Sequence, residues 1–246
     1  MNVTDLRQIA KLLSTNPNGA KALVKLLSFD VVKSLENNNY SIMSGDKKFV
    51  ATSQSELKEG NKYWGNFTDF KNPKILNAVV FPSALKTFEA SPIKYQLKDL
   101  ESLLLDKNKV ANIKESVIEK LSQSASKEEF VSLSNMLLSF QNGVLTIPTL
   151  FHGYFHLLQF KKRYNKESKK FSLNFYAALE TLGPISGVVT LSNNNLFFEL
   201  SVAFEKTKTV LEEDAKNFSY NVNISVVEEI QPLFNTDTNS ILDISV

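Results

Sequence analysis

The chain has no cysteine. Disulfide frameworks, thiol nucleophiles, iron–sulfur clusters and Cys-type zinc sites are therefore excluded. The absence fits a reducing compartment, and equally a protein that crosses between compartments. Arginine is almost missing as well: of 28 basic residues only Arg7 and Arg163 carry the planar fork suited to phosphate readout. With 26 acidic residues the formal charge is +2, so no whole-chain field points to nucleic acid or membrane. No stretch approaches the ~18 consecutive apolar residues of a membrane-spanning helix. The nucleophile elbow G-x-S-x-G, the phosphate loop G-x-x-x-x-G-K-[ST] and the dinucleotide fingerprint G-x-G-x-x-G do not occur. The expectation is a chain without catalytic residues, metal or cofactor.

What is present is enough to build a large core. The 246 residues are 43% hydrophobic and 22% charged, the balance of a soluble globular protein, with 18 phenylalanines against one tryptophan. The opening "MNVTDLRQIAKLLSTN" carries Asp5, Arg7 and Lys11 among its apolar residues, so it reads as an amphipathic helix and not as a secretory signal. Residues 1–38 read as two helices. Thr4 caps the first, and Ala20, Leu23, Leu27, Val31 and Leu35 form the stripe of the second.

Residues 39–90 change character. "YSIMSGDKKFVATS", "KYWGNFTDF" and "ILNAVVFP" are short β-rich runs between turn signals, three or four strands of a small barrel. Residues 91–143 return to helical spacing, with stripes at Leu97, Leu100 and Leu104 and at Val110, Ile113, Val117 and Leu121. A third stripe follows the capping box at Ser126–Glu129, with Gly143 as its stop. A helical linker bundle is expected there.

From 144 to 234 the pattern is β again. Phe171, Leu173, Phe175, Ala177 and Leu179 alternate with Ser172, Asn174, Tyr176 and Glu180, and Leu196 to Phe204 and Tyr220 to Val226 repeat the alternation. That is an antiparallel sheet with one dry and one wet face, backed by a helix whose Leu211, Ala215 and Phe218 point inward. The fold class expected is α+β, with residues 235–246 as a loosely held tail.

Surface chemistry is sparse. "KKRYNKESKK" (161–170) holds six basic residues and one acidic, and reads as a hairpin tip able to meet an acidic partner through Lys161, Lys162, Arg163, Lys169 and Lys170. Tyr63, Trp64 and Phe67 interleave with Lys62, the pattern of a barrel that stacks bases beside phosphate-tracking lysines. The alternative for those rings is ordinary core. His152 and His156 are the only histidines; without a third ligand they read as structural.

The stretch "LETLGPISGVVTLSNNNLFFELSVAFEKTKTVLEE" resembles the C-terminal domain of flagellar hook-length control proteins. Leu182, Gly183, Pro184 and Ile185 match that family's turn, and Val189 and Leu191, the "SNNN" hairpin, Leu196 to Phe204 and the helix around Leu211 follow in its order. "SGDKKFVATSQSELKEGNKYWGNF" is similar to the small β domain some members carry upstream. The resemblance implies an α+β domain that docks on the cytoplasmic part of the export-gate switch subunit of the flagellar type III apparatus and changes export specificity. It also implies that the turn presents Leu182 and Ile185 as a corner at the sheet's edge. Members that measure length have a long Pro- and Gln-rich centre, whereas this chain has seven prolines and reads as helical there. A helix advances only about 1.5 Å per residue, so a compact cytoplasmic adaptor or regulator is expected, with passage through the flagellar channel as the alternative.

Overall fold

The computed structural model describes residues 26–68, 73–96, 99–100, 102–103, 108–151, 153–166, 170–192, 195–217 and 220–236. Two β units dominate. Strands β1 (Leu26–Ser34), β2 (Asn39–Ser44), β3 (Lys47–Ser53), β4 (Lys62–Phe67) and β5 (Lys74–Val80) close a barrel in the order β1-β2-β3-β5-β4. Every neighbour pair is antiparallel except β3–β5, which is parallel and joined only at Thr52–Lys74 and Ser53–Ile75. This is the five-stranded Greek-key strand order of OB-fold barrels. Phe29, Val31, Ile42, Ala51, Tyr63, Phe67 and Ile75 fill it.

The expected helix over the second half of 1–38 is corrected by β1; the expected helix before it lies outside the described residues. A bulge between Val31 and Lys33 interrupts the alternation of β1. Leu26 packs outward against the rest of the molecule while Leu27 packs with the barrel core, so neighbouring positions are both apolar. Period two is lost from the sequence, and Leu27, Val31 and Leu35 are left at helical spacing.

The second unit is a seven-stranded sheet ordered β12-β11-β10-β9-β8-β7-β6. Its strands are β6 (Tyr95–Gln96), β7 (Leu145–Phe151), β8 (Tyr154–Asn165), β9 (Lys170–Leu179), β10 (Gly183–Ser192), β11 (Asn195–Val202) and β12 (Asn221–Val226). The helices are α1 (Ser83–Glu89), α2 (Lys109–Ser122), α3 (Lys127–Gln141) and α4 (Glu205–Ala215). β7 to β11 form an antiparallel meander as expected. Both outer strands depart from it: β12 runs parallel to β11, and β6 parallel to β7. The reason at β12 is α4, which carries the chain back to the end where β11 began.

One face of this sheet holds Phe160, Leu173, Phe175, Ile185, Val189, Phe198, Leu200 and Ile224 beneath Leu211 of α4 and Leu100. The other face was expected to be wet, and here the structure differs. Toward β8 and β9 it is dry: Leu157, Tyr176 and Ala178 share a core with Leu133 and Met136 of α3, Leu85 and Phe88 of α1, and Trp64 and Leu26 of the barrel. Tyr176 is fully buried, whereas Asn174 and Ser172 remain accessible. The helices thus cover half of the sheet's second face and do not stand apart as a linker. The start and stop signals of α3 hold. Ser126 Oγ accepts from the Glu129 N–H at 3.1 Å, Glu129 Oε2 accepts from the Ala125 N–H at 2.9 Å, and Gly143 follows at φ +70°.

The chain after β12 does not hang free at once. Gln159, fully buried, donates from Nε2 to the Phe234 carbonyl at 2.8 Å and accepts from the Phe234 N–H at 3.1 Å. Ser83 Oγ donates to Asn235 Oδ1 and the Thr236 carbonyl, and Thr87 and Thr236 pair through their hydroxyls. The expected loose tail is therefore corrected at its first two residues; the remainder lies outside the described residues.

Candidate functional site

Hairpin β8–β9 is where the sequence put its basic tip, and the register shows how the charges divide. Lys162 and Tyr164 continue the dry face of β8, opposite Leu173 and Phe171, while Lys161 and Arg163 continue the other face, opposite Asn174 and Ser172. The core runs out toward the tip. Leu173 is buried, but Tyr164 is 50% exposed and Phe171 46% exposed, their rings 4.7 Å apart. Lys162 Nζ lies 4.4 Å from the centre of the Phe171 ring, a cation–π contact. Arg163 and Lys170 are exposed on the opposite face of the hairpin, and Lys166 is exposed at its tip. Lys169 lies outside the described residues. The result is a small exposed ring pair beside Lys162, near the tip of a hairpin rich in basic residues.

The Leu182–Ile185 turn is placed differently from the expectation. It joins β9 to β10, both interior to the sheet, so it is no edge. Gly183, Pro184 and Ile185 are buried and Leu182 is half-buried. Gly183 takes φ +77°, and a Cβ there would sit 2.9 Å from the Phe204 ring, so both backbone and space demand glycine. Thr207 of α4 donates to the Leu182 carbonyl at 2.7 Å. The turn locks α4 to the sheet and offers no apolar corner.

The barrel aromatics are also buried. Tyr63 and Phe67 point into the barrel, where both pack on Phe29. Trp64 points the other way, into the junction with the sheet, stacked on Phe81 at 3.7 Å, and Lys62 Nζ lies 4.8 Å over that same Phe81 ring. None of the three rings presents a free face, so the expected base-stacking platform is absent from β4. The outer surface of β2 and β3, where OB barrels bind extended ligands, carries Ser41, Met43, Lys48, Val50 and Thr52 and no aromatic ring.

His156 resolves as a structural residue: its Nδ1 accepts from the Glu180 N–H at 3.3 Å, and burial pushes its pKa down to about 4. His152 lies outside the described residues. The Glu180 carboxylate accepts from the Ser28 hydroxyl, tying β9 to β1 of the barrel.

The junction holds a feature the sequence did not announce. A cleft of about 400 Å³ opens between β5, the start of α1, β10 and the strapped segment after β12. Trp64 and Tyr176 belong to its lining, Val80, Phe81, Pro184 and Ile230 give it apolar walls, and the exposed Glu228 and Glu229 line it as well. Among the described residues four buried side-chain polar atoms lack a hydrogen-bond partner, and two of these are Trp64 Nε1 and Tyr176 Oη. Burial raises the Tyr176 pKa, so its hydroxyl keeps its proton and remains a neutral donor. No signal in the sequence joined these residues, because the cleft draws on positions 64, 78–83, 176, 184 and 228–235.

The class defined by these coordinates is an α+β protein in which an OB-type barrel packs on a helix-covered mixed sheet. No protein-family model, curated protein or solved structure matches the chain. No helix among the described residues is long and apolar enough to cross a membrane.

Proposed function

We propose that the chain is a non-enzymatic protein-interaction module whose contact surface is the β8–β9 hairpin. The carrying observation is the exposed Tyr164–Phe171 ring pair with Lys162 against it, at the tip of a hairpin that also exposes Arg163 and Lys166. Rigid aromatic area beside basic charge is the composition of an interface centre, and the sign of that charge calls for an acidic partner surface. Between Tyr154 and Leu179 the sequence has six basic residues against one acidic residue, Glu167.

The first partner to test is the export-gate switch subunit of a flagellar type III apparatus. Support for it is the order β9, tight turn, β10–β11 hairpin, α4, β12, which is the order the resemblance implies. The burial of Leu182 to Ile185 moves the contact from the turn to the hairpin. Co-purification of the full chain with the cytoplasmic part of that subunit is the experiment. Retention is expected for the native chain, with at least tenfold weaker binding for Lys162→Glu/Arg163→Glu and for Tyr164→Ser/Phe171→Ser. No retention of the native chain sinks the partner. Equal retention of all three sinks the surface.

The strand order of the barrel favours a second reading, binding of single-stranded nucleic acid on the outer face of β2 and β3. This likeness is one of fold, and a fold does not fix a function. The discriminating variant is Lys48→Glu, since the aromatics of β4 are buried. A salt-dependent shift of single-stranded DNA abolished by that variant supports it, and no shift at low salt ends it.

A further inference from the structure

We infer that the junction cleft binds a small uncharged or cationic molecule through its carbonyl oxygens, with Trp64 Nε1–H and Tyr176 Oη–H as the donors that receive them. Two donors without partners in the lining of one cleft are a strong chemical statement, because a buried donor left unpaired is among the costlier things a fold can keep. The indole N–H donates only, and the neutral phenol is free to donate, so the complementary group is an acceptor. The cleft has the volume of a small-molecule pocket and aliphatic and aromatic walls.

Charge narrows the ligand further. The lining includes Glu228 and Glu229 and no Lys, Arg or His, so an anion is disfavoured. Of the remaining polar lining, Ser83 is already bonded to Asn235 and Thr236, and Gln231 to Glu229. The Trp64 and Tyr176 side chains are both fully buried, so entry requires an outward movement of the wall. The segment Glu228–Gln231 is the wall suited to give: it belongs to no strand or helix, and its anchors are at Gln159, Ser83 and Thr87 further along.

Trp64 is the only tryptophan of the chain, so both its emission and its single indole N–H resonance report on this site alone. The probes are 2-pyrrolidinone as a neutral carbonyl and acetate as its anionic counterpart, titrated into the full chain. The expected result is a saturable shift of the indole resonance with 2-pyrrolidinone and none with acetate. Binding should weaken at least tenfold in Tyr176→Phe, which keeps the ring, and in Val80→Phe, which narrows the mouth from an exposed position. The melting temperature of Tyr176→Phe should equal or exceed that of the native chain, which separates lost binding from lost folding. An indole resonance that does not move, undiminished binding in Tyr176→Phe, or contact of the N–H with trapped water only would overturn the assignment. This site is independent of the hairpin, and Lys162→Glu/Arg163→Glu should leave it unchanged.

Discussion

At Tyr176 a hydroxyl is held away from water with no protein partner, which inverts the usual result of deleting a polar atom. Tyr176→Phe should leave the ligand-free chain as stable as before, or more stable by up to about 1 kcal/mol, measured by urea denaturation. A loss of more than about 2 kcal/mol would reveal a hydrogen bond there. His156 carries a pH dependence whose sign follows from its burial. The folded state resists protonation down to about 4, while the unfolded chain takes the proton near 6.5. Stability from this residue is complete above the higher value and drains away as pH falls toward the lower, by about 2 kcal/mol between pH 7 and pH 5. His156→Gln should flatten that part of a stability–pH profile. Gly183→Ala meets both a positive φ and the Phe204 ring, and should lower stability by about 1–3 kcal/mol.

Among the elements, legibility in the sequence tracked how many faces each one buries. β11 buries one face cleanly and its alternation was plain, whereas β9 alternates in polarity only up to Tyr176 and buries both faces from Phe175 to Leu179. β1 was read as helix because its bulge and its two-sided packing erase period two. β7 was indistinct for a related reason: Thr146, Ile147, Pro148 and Thr149 are all buried, so no wet face alternates with a dry one. Pro148 is tolerated because β6 pairs with β7 only at Thr149 and Leu150. Local signals with a fixed geometry survived best. The cap of α3 was visible as Ser126 and Glu129, and Ser126→Ala should cost about 1 kcal/mol in thermal or urea unfolding. A change within a few tenths would mean that water replaces the cap.

For the whole molecule, the basic hairpin could be seen in advance because its six basic residues fall within 161–170, whereas the cleft could not, because five separate stretches of the chain build it. The same distance hid the strap. Gln159 reads as one more polar residue in a strand, yet it bonds the Phe234 backbone as a neighbouring strand would. Gln159→Ala should release the segment after β12 and make it the first site of limited proteolysis, at a cost of about 1–3 kcal/mol. Unchanged cleavage would show that Ser83 and Thr87 hold the segment unaided.

The barrel contributes Leu26, Trp64 and Phe81 to a core whose other members sit on the sheet and its helices. A chain severed at Pro82 would therefore yield two fragments with complementary oily wounds, neither fit to live alone in water. Calorimetry of the intact chain should record one melting event, and the severed halves, mixed, should heal into a single particle.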